Sequence, residues 1–335
     1  MRPFGGELLY GSFAGRRWTA WLKSRIRRGS HLTSIVGNLV ARARGAAWLM
    51  LTLAILFWAG NVIAARVAVG QISPGAMVCL RWTIVSLVLL VIARDNIRQD
   101  WPKLLPHWRS VILMGMFGYT IYNVLYYEAG VYTTGVNLSI LQCSTPVFVL
   151  LGGRLIYGTP LTLVRSLGLT LTIIGGLLVA TRGDLTYFAG FEFNLGDLFI
   201  TIASVFYGFY TLALRSRPPV SALGFFSAMA FVAFLTSLPA LAIEVWLGAT
   251  IWPTFTGALA LLYVAIFPSL LAQLLYMRGV ELIGPNRAGL FYNLLPVVGA
   301  LLSVVLLGEP FRSYHAMALA LVLTGIFLSE RLGSR

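Results

Sequence analysis

The chain has 335 residues, 58% of them hydrophobic and only 11% charged, with a net charge of +14. A soluble domain carries about a quarter of its residues as charges. This composition, at a mean hydropathy of +0.83, therefore excludes a water-soluble globular fold and points to an all-α integral membrane protein. The charge is no nucleic-acid footprint. Nine basic residues and one acid fall in residues 1–46, and the others lie beside apolar runs, as membrane topology imposes.

Residues 1–46 set Trp18, Trp21, Leu22 and Ile26 at helical spacing among Arg16, Arg17, Lys23, Arg27 and Arg28. An interfacial helix on anionic lipid is one reading. A basic, poorly ordered extension is the other, and the lack of an apolar core favours it. A cleaved signal peptide is not expected, because the basic region is too long and the first apolar run is long enough to cross.

A crossing needs about 20 apolar residues. Ten such runs follow, at about 47–69, 74–94, 110–128, 134–157, 161–181, 195–214, 221–244, 256–277, 285–307 and 311–330. With the N-terminus inside, inner connections hold twelve basic residues and outer ones only Arg182 and Arg312. That asymmetry satisfies the positive-inside rule and would be scrambled by miscounting one crossing. Both termini are then cytoplasmic, in the inner membrane. The connections are short, the longest being 94–109 and 182–194.

Two stretches echo each other. Gly130 to Pro160 reads GVYTTGVNLSILQCSTPVFVLLGGRLIYGTP, and Gly279 to Pro310 reads GVELIGPNRAGLFYNLLPVVGALLSVVLLGEP. Gly130 matches Gly279, Pro146 matches Pro296, Gly158 matches Gly308 and Pro160 matches Pro310. Duplication divides the chain into a first half, 47–181, and a second, 195–331. Each half holds five runs, an odd number, so the second copy lies upside down. Two inverted five-helix repeats are the basis of alternating access.

No G-x-S-x-G, H-E-x-x-H or phosphate-loop motif is present, and Cys79 and Cys143 form neither a disulfide framework nor a metal set. The reading is a non-enzyme without cofactor or metal. What remains is polar residues at membrane depth, which are costly unless they face a cavity or another helix. Run 3 carries Tyr119, Tyr122, Asn123 and Tyr126 on one helical face. Run 4 carries Asn137, Gln142 and Ser144, and run 9 carries Tyr292 and Asn293. Pro146 and Pro296 interrupt these two runs, and each is expected to free carbonyls for solute and to act as a gate or kink. Trp58 and Asn61 in run 1, Tyr207 and Tyr210 in run 6, and Gln273 and Tyr276 in run 8 complete the candidate lining. Of the two basic residues inside runs, Arg81 is deep enough to anchor a substrate carboxylate, whereas Arg66 is near its run end, where snorkelling competes. Gly168, Thr172 and Gly176 read as close helix packing.

The chain resembles the EamA-type members of the drug/metabolite transporter superfamily. Phe57-Trp58-Ala59-Gly60-Asn61, then Ser73-Pro74 and Leu80-Arg81-Trp82, carry the resemblance, as does Gly308-Glu309-Pro310 closing the second repeat. The first copy departs, with Gly158-Thr159-Pro160. The resemblance implies ten helices around a central cavity built by runs 1, 3, 4, 6, 8 and 9, with gates where runs 3–4 and 8–9 meet. It implies a secondary transporter exporting small organic metabolites, such as amino acids and especially aromatic ones. A lipid or lipid-linked sugar flippase and a non-transporting receptor or scaffold are the alternatives. Partners are then a small-molecule substrate and the lipid bilayer.

Overall fold

The computed structural model describes residues 46–184 and 194–329. The basic extension, apart from Ala46, lies outside the described residues. Within them all regular structure is helical. Eight helices are long and apolar enough to cross a membrane. These are α1 (Ala46–Val67), α2 (Pro74–Ile92), α5 (Gly135–Tyr157), α6 (Leu163–Ala180), α7 (Leu195–Ala213), α8 (Ala222–Trp246), α9 (Phe255–Ile283) and α10 (285–307). Two more helices fall on the third and tenth apolar runs. These are α4 (108–132), whose hydropathy is diluted by tyrosines, and α11 (Ser313–Phe327).

One of the two longest connections is structured. Residues 94–109 contain an eleven-residue helix, α3 (Arg94–Leu104). Asp95 in its first turn and Lys103 in its last suit the helix dipole. Ile97 packs into the core, and Asp100 accepts from the Ser221 backbone N–H (3.0 Å) and hydroxyl (2.6 Å), which holds α3 against the start of α8.

The halves interlock by matching helices. α2 packs on α8, α5 on α10 and α6 on α11, while α4 packs on α7 and α1 on α9. Small residues allow the approach. A Cβ on Gly168 would sit 2.4 Å from the Gly325 carbonyl oxygen, and one on Gly175 would sit 2.9 Å from that of Ala318. Gly176 meets only Leu141, at 3.9 Å, so Gly175 is the packing glycine beside Gly168 and buried Thr172.

Acids bind helix starts across the halves. At the end of the bundle where α1 finishes, Glu244 accepts from the Ser73 hydroxyl (2.6 Å) and from the N–H groups of Gly75 (2.6 Å) and Ala76 (3.2 Å) at the start of α2. At the same end Glu309 accepts from the N–H groups of Gly135 (2.9 Å) and Val136 (3.0 Å), the first turn of α5. Anionic groups there satisfy amides that no turn of helix can reach. Gly158 (φ 63°) and Gly308 (φ 66°) end α5 and α10 in the left-handed region, where glycine is favoured. After them Thr159 stands at the position that Glu309 fills in the second half.

Candidate functional site

Two helices lose regular α geometry at mid-length. α4 passes through a π turn at Met116–Ile121, and α9 through one at Ala265–Leu271. These segments open 149 positions apart, the spacing of Gly130 and Gly279. Such bulges often mark functional sites. In α9 the cause is visible. Pro268 has no N–H to give the Val264 carbonyl, and the Ser269 hydroxyl donates to that carbonyl instead. The Pro268 carbonyl in turn accepts from Trp58 Nε1 at 2.9 Å.

Between these bulges lies a cavity of about 110 Å³. That is ample for several waters or a small solute. Its walls come from α1 (Trp58, Asn61), α2 (Arg81, Trp82), α4 (Gly118, Tyr119, Tyr122, Asn123, Tyr126), α5 (Gln142), α7 (Tyr207), α8 (Phe226), α9 (Pro268, Ser269, Gln273) and α10 (Tyr292, Leu295). Both halves of the chain contribute.

Arg81 is 6% exposed. Its Nε donates to the Ser269 hydroxyl (2.5 Å), and its Nη1 donates to Asn123 Oδ1 (2.8 Å) and to the Tyr127 hydroxyl (2.9 Å). The guanidinium carbon also lies 4.9 Å from the Trp82 ring centre, within cation–π range. Aromatic rings fill the remaining wall, with Tyr122 against Tyr207 at 4.8 Å, Tyr119 against Trp82 at 5.0 Å and Trp58 against Tyr292 at 5.8 Å.

The tyrosine face of α4 reaches the cavity intact, with Tyr119, Tyr122, Asn123 and Tyr126 all in its wall. Trp58, Asn61, Arg81, Gln142, Tyr207, Gln273 and Tyr292 join them. Tyr276 stands behind, packed on Trp58 at 5.1 Å and Tyr292 at 6.5 Å. Tyr210 packs on Tyr119 at 5.6 Å, and its ring fills the space over Gly118. Asn293 and Ser144 are not among the wall residues, and the buried Ser144 hydroxyl has no hydrogen-bond partner among the described residues.

Asn137 turns to a different cluster. Its Nδ2 donates to Thr133 Oγ1 (3.2 Å) and points at the buried Asp197 carboxylate (3.4 and 3.5 Å). The His315 Nδ1 accepts from the Arg312 N–H, so Nε2 carries the proton in the neutral ring and donates to Asn137 Oδ1 at 3.2 Å. Asn137 thus ties α5 to α7 and α11 away from the cavity. Five residues of helix separate Asn137 from Gln142, a rotation of about 140°, so the two face different directions.

Pro146 falls in the first turn after a three-residue 3₁₀ break at Gln142–Ser144, and Pro296 in the first turn of the Leu295–Leu307 segment of α10. The carbonyl that Pro146 leaves unpaired, that of Gln142, is taken by the Thr145 N–H and hydroxyl. It is therefore not free for solute, contrary to expectation. Arg66, partly exposed at the end of α1, is tied to its neighbours. Its Nη1 donates to the Gly130 carbonyl (2.5 Å), and its Nε lies 3.3 Å from Glu309.

Sequence reasoning missed Trp82, Gly118, Phe226, Pro268, Ser269 and Leu295. Pro268-Ser269 was detectable as a proline–hydroxyl pair inside an apolar run, opposite the tyrosine stripe in the duplication.

The profile of the EamA-like transporter family matches residues 45–181 and again 194–331. The chain belongs to the EamA-like transporter family. EamA-like relatives include the uncharacterized transporter YyaM of Bacillus subtilis, 26% identical over 79% of this chain and 87% of its own. YetK of the same species, also an uncharacterized transporter, is 26% identical over 88% and 89%. An uncharacterized transporter of Archaeoglobus fulgidus is 24% identical over 85% and 98%. A solved crystal structure shares the fold at a TM-score of 0.59 and 22% identity, covering 86% of this chain and 99% of that one. The chain is thus a multi-pass membrane transporter whose EamA unit occurs twice.

Proposed function

We propose that this protein is a secondary transporter that exports small organic solutes across the cytoplasmic membrane by alternating access. Ten helices cross the membrane as two inverted five-helix repeats, with both termini inside. The observation that carries the reading is the aromatic, polar-studded cavity shared by both halves between matched π turns. The pairing of α2 with α8, α5 with α10 and α6 with α11 supports inversion, since each pair joins equivalent helices of the two repeats. The breaks before Pro146 and Pro296 serve as hinges where α5 and α10 approach the cavity.

On this topology the Glu309–Arg66 cluster closes the outer side. Lipid translocation has a candidate entry in an apolar groove of about 670 Å³ between α1, α2, α4 and α8. Tyr127 lines that groove and also bonds Arg81 and Asn61, so it stands between groove and cavity and favours a soluble solute.

The test uses Gln142→Cys in a chain with Cys79→Ser and Cys143→Ser. A membrane-impermeant maleimide should label this wall position from both faces of oriented membranes. A cavity reachable from only one face refutes alternating access.

A further inference from the structure

We propose that the cavity selects solutes bearing a single negative charge, an organic carboxylate on a flat apolar body, and that Arg81 makes the selection. This rests on the cavity being the transport site.

The guanidinium is buried and hydrogen-bonded, yet it has no counter-charge. Among the described residues, the ion pairs are Arg66–Glu309, Lys103–Asp100 and Arg278–Glu281, and none involves Arg81. No wall residue of the cavity is acidic. An unpaired cation at membrane depth is costly, and residues of this kind mark substrate pathways.

The surroundings also meet it only with acceptors. Each of its three partners has committed its own hydrogen elsewhere. The Asn123 amide nitrogen donates to the Tyr119 carbonyl, the Tyr127 hydroxyl to Asn61 Oδ1 (2.8 Å) and the Ser269 hydroxyl to the Val264 carbonyl. All three present lone pairs to Arg81 and hold the guanidinium plane in place. Nη2 makes no hydrogen bond to the described residues, and Arg81 lines the cavity. One charged donor group therefore faces the space where a solute sits, a geometry suited to a carboxylate.

The charge balance narrows the class. A monocarboxylate brings the site to neutrality. A zwitterionic amino acid adds an ammonium, for which the wall offers amides and hydroxyls but no carboxylate, and leaves the excess positive charge in place. A neutral amide leaves the cation unpaired. The rings of Trp58, Tyr122, Tyr207 and Tyr292 accept a planar apolar body.

The probes are phenylacetate, phenylacetamide and phenylalanine at neutral pH, added to the purified full chain and followed by the fluorescence of its tryptophans, two of which line the wall. Phenylacetate should bind saturably and about tenfold or more tighter than the other two. Arg81→Lys should keep part of that preference. Arg81→Gln should abolish it while shifting phenylacetamide affinity by less than about threefold. Phenylacetamide or phenylalanine binding as tightly as phenylacetate overturns the inference on the unaltered protein, whatever the variants do. So does an anion preference that survives in Arg81→Gln, or no binding of any of the three probes. If two-sided labelling at Gln142→Cys persists in any of these cases, charge selection falls and the transport reading stands.

Discussion

Replacing Glu309 by glutamine removes one charge and little volume from the cluster that holds the Gly130–Val136 corner shut. The carboxylate accepts two backbone N–H bonds, at 2.9 and 3.0 Å, and lies 3.3 Å from Arg66 Nε. Glutamine keeps one acceptor oxygen. The loss is then one charge-assisted bond, about 1.5–3 kcal/mol, with the ion pair adding at most about 1 kcal/mol because Arg66 is 30% exposed. A net of about 2–3 kcal/mol removed from the outward-closed state shifts its balance with the outward-open state by about 30- to 150-fold. The assay is external maleimide labelling of the Gln142→Cys reporter, which should accelerate by that order. Arg66→Gln leaves both N–H bonds to Glu309 but gives up the ion pair and the Nη1 bond to the Gly130 carbonyl, and should accelerate labelling to a comparable degree. An unchanged rate in a folded Glu309→Gln protein would refute the idea that this carboxylate latches the outer face.

Gly325→Ala should lower the thermal unfolding midpoint by several °C, because its Cβ would meet the Gly168 carbonyl oxygen at 2.4 Å and overpacking costs about 1–3 kcal/mol. Gly176→Ala, 3.9 Å from Leu141, should leave the midpoint unchanged, and equal effects would contradict the assigned contact face. The Ser221 hydroxyl, donating to Asp100, holds that carboxyl below its usual value of 3.8 against the opposing effect of burial. A depressed native pKa gives stabilisation that is complete above the unfolded value and lost as pH falls through the native one. The midpoint should therefore drop below about pH 4, and Asp100→Asn should begin a few °C lower at neutral pH and lack that acid limb.

The helical runs were legible because a bilayer demands about 20 apolar residues in a row, and every one of the ten runs coincides with a described helix. Arg81 was legible because a lone cation deep in such a run has few other uses. The Glu309 clasp was not. Glu309 lies 174 residues from Gly135, and only the fold joins a turn after α10 to the start of α5. Asn137 misled because sharing a run with Gln142 does not put it on the same face: five residues of helix turn by about 140°. Ser269 was missed because its value lies in repairing what Pro268 removes, a backbone event that an apolar pattern does not display.

The unequal turns after α5 and α10 have a thermodynamic consequence. Were both clasps alike, an empty carrier with two near-equivalent packings would spend equal time facing either side. With a carboxylate at one end and Thr159 at the other, the two resting poses are expected to differ by about the 2–3 kcal/mol worked above for Glu309, or about 30- to 150-fold in occupancy. On the proposed topology the unloaded protein is then expected to rest with its mouth toward the cytoplasm. On that topology the resting bias comes from a single residue that the duplication did not keep in both copies.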